Sequence, residues 1–162
     1  MIARHGAARD LGRRYTPALS LLLLLFCIRV AAQLIQRGFD LPFLPRFDAW
    51  HSGTLPYGLL VASQFLIIGV CLWLIVRIHQ GTLGPGPRRH VVVLALGAIY
   101  FAAMAFRLVA GSTFLAGHAW FATRLPAIFH IVLASFVLTV GHYLWRRALA
   151  DRRDSQLAFT RT

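Results

Sequence analysis

The sequence predicts an all-α integral membrane protein, a bundle of four transmembrane helices with both termini in the cytoplasm. Three observations support this prediction. Apolar residues make up 58% of the chain and charged residues 14%, and mean hydropathy is +0.66, whereas soluble domains are nearer half apolar and a quarter charged. Four apolar stretches are each long enough to span a bilayer, for which a helix needs roughly 20 residues. Arginines flank these stretches on one side more than on the other.

The four predicted spans cover residues 16–36, 56–76, 91–110 and 126–145. Between the second and third spans, Pro and Gly residues predict a short turn that ends the helix. The polar tail, 146–162, is expected to be frayed or loosely helical. No change of composition divides the chain, so residues 1–162 are predicted to form a single transmembrane domain.

The arginines predict the orientation of the spans. Cytoplasmic loops carry an excess of Lys and Arg, and here the two terminal segments and the second loop are arginine-rich. These segments hold Arg4, Arg9, Arg13, Arg14, Arg77, Arg88, Arg89, Arg146, Arg147, Arg152, Arg153 and Arg161. The first and third loops hold Arg37, Arg46 and Arg124. We therefore expect a multi-pass protein of the bacterial cytoplasmic (inner) membrane, with these two loops outside.

The first span has one alternative reading. A basic start followed by a leucine-rich core is also typical of a secretory signal, and Val30-Ala31-Ala32 resembles a cleavage site. Arg29 beside that site disfavours cleavage, as does the presence of a counterpart to this span later in the chain. The sequence therefore favours a retained helix.

That counterpart belongs to an internal repeat. Residues 49–57 read AWHSGTLPY and residues 119–127 read AWFATRLPA. Pro56 and Pro126 each open a span, at a position where a missing N–H costs little, and Arg77 and Arg147 close both spans. We interpret the chain as two duplicated helix hairpins, a parallel repeat about an axis normal to the membrane.

Small residues on the first and third spans predict that these two helices approach closely. They are Ala31, Ala32, Gly97, Ala102, Ala103 and Ala105.

Polar residues within the spans are costly in lipid, so each is a candidate for function. At about 1.5 Å of rise per residue, all of the candidates fall in the outer half of the bilayer. They are Arg29, Gln33, Gln64, Arg107 and His130. Gln33 lies one turn beyond Arg29 on the same face. Arg124, Asp48 and His51 come from the outer loops directly above, together with Asp40 and His118.

This cluster predicts an outward-facing, net-positive site. Guanidinium groups bind anionic groups through paired hydrogen bonds, which favours an anionic or strongly polar ligand. Alternatively, Arg29 and Arg107 pair with Asp40 and Asp48 or extend toward water, and then serve only the fold.

Candidate catalytic residues are His130, Arg29 and Arg107. His130 and His51 are the residue type that can transfer a proton near neutral pH, and an arginine beside His130 could stabilise developing charge. The chain has no HExxH, no recognisable nucleophile triad and no phosphate-binding glycine loop, so the sequence does not decide whether the protein is an enzyme. Cys27 and Cys71 lie within apolar runs and are expected to be buried thiols, and no metal site is predicted.

Seven histidines raise the alternative of a b-type cytochrome. Two axial histidines need matching depth on different helices. His130 and His142 are about 18 Å apart along one helix and do not share a face, and the other partners, His51, His79 and His90, lie at interfaces or in loops. No cofactor is predicted, and haem b stays an alternative.

Three functions follow from these patterns. The first is a protein that binds or processes an anionic or lipid-like small molecule, such as a lipid headgroup, at the outer site. The second is an accessory or scaffolding subunit that binds partner membrane subunits and whose polar residues are structural. The third is a b-type cytochrome. All three contact the lipid bilayer, and no nucleic-acid partner is expected because the basic residues lie beside apolar stretches.

Overall fold

Four long helices make up the structure, a computed structural model that describes residues 2–39, 41–50, 56–86, 88–114, 117 and 124–159. They are α1 (Ile2–Phe39), α2 (Tyr57–His79), α3 (Arg89–Ser112) and α4 (Arg124–Phe159), with a short 3₁₀ helix (Phe47–Trp50) between α1 and α2. Each long helix contains a segment that is long and apolar enough to cross a membrane. The protein is therefore a small four-span membrane protein whose helix bundle contacts the lipid bilayer.

Neighbouring helices pack antiparallel. Gly12 near the start of α1 lies against Ile78 near the end of α2, whereas Gln33 near the end of α1 bonds Gln64 near the start of α2. The contacts of α4 show that it is likewise antiparallel to α1 and to α3. We call the end that holds Gly12 and Ile78 the terminal end, and the end that holds Gln33 and Gln64 the loop end.

The packed pairs of helices are α1 with α2, α1 with α4, and α3 with α4. In the most apolar 18-residue segment of each helix, 33% of the residues of α1 and 39% of those of α4 are buried inside the bundle. The corresponding shares are 17% for α2 and 11% for α3. The helices therefore contact one another in the order α2–α1–α4–α3, with α1 and α4 in the middle. Large apolar side chains on the outer faces of α2 and α3 stay exposed and suit contact with lipid.

One apolar core joins α1, α2 and α4 in the terminal-end half. Its buried members are Leu19, Leu23, Cys71, Ile75, Ile78, Leu83, Phe136, Val140, Tyr143 and Leu144. On α1, the buried residues Leu19, Leu23, Phe26 and Val30 recur at three- and four-residue spacing, which places them along one stripe. Cys27 and Cys71 are free thiols within or beside this core.

Glycines bring α3 and α4 close together. A Cβ added to Gly97 would lie 3.0 Å from the Leu138 backbone nitrogen, and one added to Gly141 would lie 2.8 Å from the Leu94 Cα. Two glycines facing backbone on opposite helices permit an approach that larger residues would prevent.

This contact corrects the prediction that small residues join the first and third spans. Gly97 does mediate a close contact, but its partner is α4. Ala31, Ala102 and Ala103 are exposed. A small side chain permits close approach without specifying the partner, and here the second glycine, Gly141, lies on α4.

The turn after α2 is closed by its backbone and held by α4. Gly81 has φ of 69°, and the Gly81 and Thr82 amides donate to the carbonyls of Ile78 and Arg77 at 2.9 and 3.0 Å, the pattern of a Schellman C-cap. Arg147 of α4 donates from Nη1 to the Gly81 carbonyl at 2.5 Å and to the Leu83 carbonyl at 3.0 Å. The predicted turn between the second and third spans is thus tied to the fourth helix.

Helices α1 and α4 extend well beyond the predicted spans. They contain 38 and 36 residues, about 55 Å each at 1.5 Å per residue, whereas the hydrocarbon core of a bilayer is about 30 Å thick. At the terminal end, the start of α1 and the end of α4 project side by side, since residues of both line one cleft. The polar tail expected to be frayed or loosely helical is therefore a regular helix as far as Phe159.

Candidate functional site in the loop-end half

Four of the polar residues predicted within the spans are buried in the loop-end half of the bundle. Arg29 and Gln33 of α1 are 7% and 0% exposed, Gln64 of α2 is 3% exposed and Arg107 of α3 is 4% exposed. His130 of α4 is more exposed and lies at the bundle surface. We call these five residues the loop-end cluster.

Arg29 connects three parts of the molecule. Its Nη2 donates to the backbone carbonyl of Trp50 at 2.7 Å, and its guanidinium lies 5.7 Å from the centroid of the Phe129 ring of α4. Trp50 is itself buried, and its indole N–H donates to the Pro45 carbonyl at 2.9 Å. Arg29 thus holds the 3₁₀ helix onto α1 and α4, and both of these contacts are with uncharged groups.

Gln33 and Gln64 form the polar contact between α1 and α2. Gln64 Nε2 donates to Gln33 Oε1 at 3.1 Å. Because only this one hydrogen bond joins the two side-chain amides, Gln33 Nε2 and Gln64 Oε1 are both buried without a hydrogen-bond partner. Arg29 Nε is buried without a partner as well. Since Arg29 and Gln33 are one helical turn apart on α1, two unpaired donors lie on the same face.

His130 joins α4 to α3. Its Nδ1 lies 2.6 Å from the hydroxyl of Tyr100, and the two rings meet edge to face. The positive charges of Arg107 and Arg29 both act on the His130 ring electrostatically. The structure therefore brings Arg29, Arg107 and His130 from three different helices into one neighbourhood, with Gln33 and Gln64 on the α1–α2 side of it.

The structure describes only some of the loop residues of the predicted site. Arg124 is the first residue of α4 and is exposed. Asp48 lies in the 3₁₀ helix, but its side chain is outside the described part of the structure, as are His51, Asp40 and His118. Arg107 has an interaction of its own, so it is a partnered group.

Three contributors to this neighbourhood were not among the predicted site residues. Tyr100 lies seven residues before Arg107, which is two turns away on the same face of α3. This spacing could have been recognised in the sequence. Trp50 belongs to the repeated segment AWHSGTLPY but was not predicted as a site residue, and nothing in the sequence distinguished Phe129. Their roles depend on contacts between helices that are distant in sequence.

Three further histidines lie elsewhere. At the terminal end, His142 Nδ1 lies 3.1 Å from the Tyr15 hydroxyl and His79 Nδ1 lies 3.4 Å from the Thr16 hydroxyl. His90 is buried near the start of α3. Within the described residues, no group of three or more His, Cys, Asp or Glu side chains is arranged to hold a metal ion.

No protein-family model, curated protein or solved structure matches this chain.

Proposed function

We propose that the loop-end cluster binds an anionic or strongly polar group of a small molecule or lipid. One observation carries the proposal: the two unpaired donors, Arg29 Nε and Gln33 Nε2, are buried one turn apart on the same face of α1. A buried donor without an acceptor costs about 1–3 kcal/mol, more when it is charged. A ligand that supplies acceptor atoms at this face would remove both costs.

Charge favours an anion over a neutral acceptor. A buried guanidinium is unfavourable unless it is paired, and the described partners of Arg29 are a carbonyl and an aromatic ring. Arg107, from another helix, adds a second positive charge that acts on the same histidine as Arg29 does. An anionic group between the helices would interact favourably with both guanidinium groups.

The exposed position of His130 gives the cluster an accessible side. A ligand could reach the cluster at the bundle surface beside His130, whose Nδ1 lies against the Tyr100 hydroxyl. A reaction at this site would use His130 for proton transfer, with Arg29 or Arg107 stabilising the developing negative charge.

The test compares ligand retention in R29Q with that in R46Q. Each protein is extracted in polymer nanodiscs together with its surrounding lipid, and bound molecules are identified by mass spectrometry. Arg46 is an exposed arginine at the same end of the molecule, so R46Q removes the same charge outside the cluster. We expect wild type and R46Q to retain an anionic molecule that R29Q loses. Equal retention in all three proteins would contradict the proposal.

A second variant covers the case in which R29Q does not fold. R29K keeps the positive charge and can still donate to the Trp50 carbonyl, but it lacks the Nε donor and the planar guanidinium. We expect R29K to accumulate normally and to bind the anionic molecule more weakly. If R29K accumulates and binds like wild type, the unpaired Nε is not a ligand contact and the proposal fails.

An accessory role in a larger membrane complex is the second candidate. It is favoured by the contacts themselves, because Arg29 anchors the 3₁₀ helix and Gln33–Gln64 joins two helices, which are structural tasks. Co-purification of partner subunits in constant ratio, with no ligand in the nanodisc extract, would select this function. A Soret absorbance in the purified protein would instead select the third alternative, a b-type cytochrome.

A further inference from the structure

A second polar region lies at the opposite end of the molecule. The projecting parts of α1 and α4 enclose a cleft of about 460 Å³, a size typical of small-ligand sites. Four arginines, Arg14, Arg146, Arg147 and Arg153, line this cleft together with two aspartates, Asp10 and Asp151. Its remaining lining is apolar: Ala7, Ala8, Leu11, Leu149 and Ala150.

The cleft has an excess of positive charge, and hydrogen bonds fix one of its arginines. Four arginines against two aspartates leave a formal charge of +2. Arg147 is held in place by the Gly81 and Leu83 carbonyls and by the Tyr143 hydroxyl at 3.1 Å. Arg14, Arg146 and Arg153 are exposed, so their guanidinium groups are available to a ligand.

The depth of the cleft matches the surface of a bilayer. Arg14 lies just before the first apolar stretch, and Arg146 and Arg147 follow the fourth stretch directly. The cleft therefore begins where the hydrocarbon ends, at the level of lipid phosphates. Basic pockets between transmembrane helices at this level bind anionic headgroups.

We propose that this cleft binds a phosphate ester. The phosphate contacts Arg14, Arg146 and Arg153, whose guanidinium groups match its geometry. Asp10 and Asp151 accept hydrogen bonds from hydroxyl or ammonium groups carried by the same ligand. A lipid headgroup and a soluble phosphate ester share this chemistry, and the cleft is separate from the loop-end cluster.

The arginine pairs next to the cleft provide a matched control. Arg13 and Arg152 are sequence neighbours of Arg14 and Arg153, are also exposed, and do not line the cleft. R14Q/R153Q and R13Q/R152Q therefore remove the same charge from the same two helices. Binding is measured on the full-length protein in detergent by native mass spectrometry, with phosphatidylglycerol, glycerol 3-phosphate and phosphatidylcholine as probes.

We expect R14Q/R153Q to weaken phosphatidylglycerol binding by at least about tenfold, because two charge-assisted hydrogen bonds are lost, and R13Q/R152Q to bind like wild type. Competition by glycerol 3-phosphate would identify a soluble ester as the ligand class, and its failure to compete would identify a lipid headgroup. Equal loss in both double variants, or loss in neither, would overturn the proposal.

Substituting the two aspartates should increase binding, an effect that misfolding would not produce. D10N/D151N removes two negative charges from the cleft but keeps two side-chain oxygens that accept hydrogen bonds, so its affinity for the anionic phosphatidylglycerol should rise while its affinity for phosphatidylcholine stays unchanged. Unchanged phosphatidylglycerol affinity in D10N/D151N, together with unchanged affinity in R14Q/R153Q, would show that the ligand does not occupy the cleft.

Discussion

At the scale of single residues, the polar side chains of the loop-end half differ in how well they are paired. Tyr100 and His130 form a short hydrogen bond between α3 and α4. The hydroxyl of Tyr57 is buried with no partner, although its ring packs edge to face on Phe47. Because both residues are tyrosines near one end of a helix bundle, they allow the value of one hydrogen bond to be measured against a matched control.

We predict that Y100F destabilises the protein by about 1 kcal/mol, the usual net value of a hydrogen bond. Y57F should be neutral or slightly stabilising, because it removes a buried hydroxyl that has no partner. Reversible unfolding in mixed micelles measures both. Equal effects of the two substitutions would show that the Tyr100–His130 bond contributes nothing to stability. Coupling between Y100F and H130A, measured in a double-mutant cycle, isolates the pair.

The sequence alone was enough to select the unusual polar residues of the spans, because their neighbours in the chain are apolar. These residues are Arg29, Gln33, Gln64 and Arg107. The sequence did not identify their partners. Arg29 contacts the Trp50 carbonyl and the Phe129 ring, partners that are set by distance in space, whereas the side chains of Asp40 and Asp48, the alternative partners, lie outside the described part of the structure. The functional role of these residues stays a prediction.

At the scale of helices, the most extensive packing is between α3 and α4. A methyl group on Gly141 would approach the Leu94 backbone to 2.8 Å, and a backbone neighbour cannot move aside without displacing its helix. Gly69 of α2 differs, because a Cβ there would meet nothing within 4 Å. These two glycines separate the effect of close packing from that of helix propensity.

We predict that G141A lowers stability by about 1–3 kcal/mol through overpacking, even though alanine improves helix propensity by about 1 kcal/mol. G69A should raise stability or leave it unchanged, because it gains propensity without a clash. Unfolding temperatures in detergent test the pair. If G141A were as stable as G69A, the close contact between α3 and α4 would not exist in the folded protein.

The predicted duplication also belongs to this scale. Arg77 and Arg147 occupy matching positions in the two hairpins, yet Arg77 lies over the Trp73 ring at 5.6 Å while Arg147 bonds the turn after α2. Pro56 precedes α2, whereas Pro126 lies two residues inside α4 and is buried. Similar sequence positions thus have different environments, and the repeat stays a prediction.

At the scale of the whole molecule, the orientation in the membrane determines what each region can bind. The positive-inside rule predicts that the arginine-rich terminal end lies in the cytoplasm, which would direct the cleft inward and the loop-end cluster outward. Each end has an exposed residue that can be replaced by cysteine for labelling. Ser155 lies near the end of α4, and Arg46 lies in the loop after α1.

We predict that a membrane-impermeant maleimide labels R46C, but not S155C, in right-side-out vesicles of cells that express the protein. Both variants are made in a C27A/C71A background, which removes the native thiols. Both should be labelled after the vesicles are permeabilised. Labelling of S155C alone before permeabilisation would reverse the orientation, and the cluster and the cleft would then face the opposite compartments.

The sequence by itself determined the number of spans, their approximate limits and the residues that make them unusual. These follow from hydropathy summed along a continuous segment, which no distant contact changes. Only the tertiary structure decided the contact order α2–α1–α4–α3, the partners of Arg29 and Arg147, and the cleft between the projecting ends of α1 and α4. Each of these depends on which helix faces meet, and apolar helix faces of similar composition can pair in several ways until their shapes, such as the glycines of α3 and α4, select one.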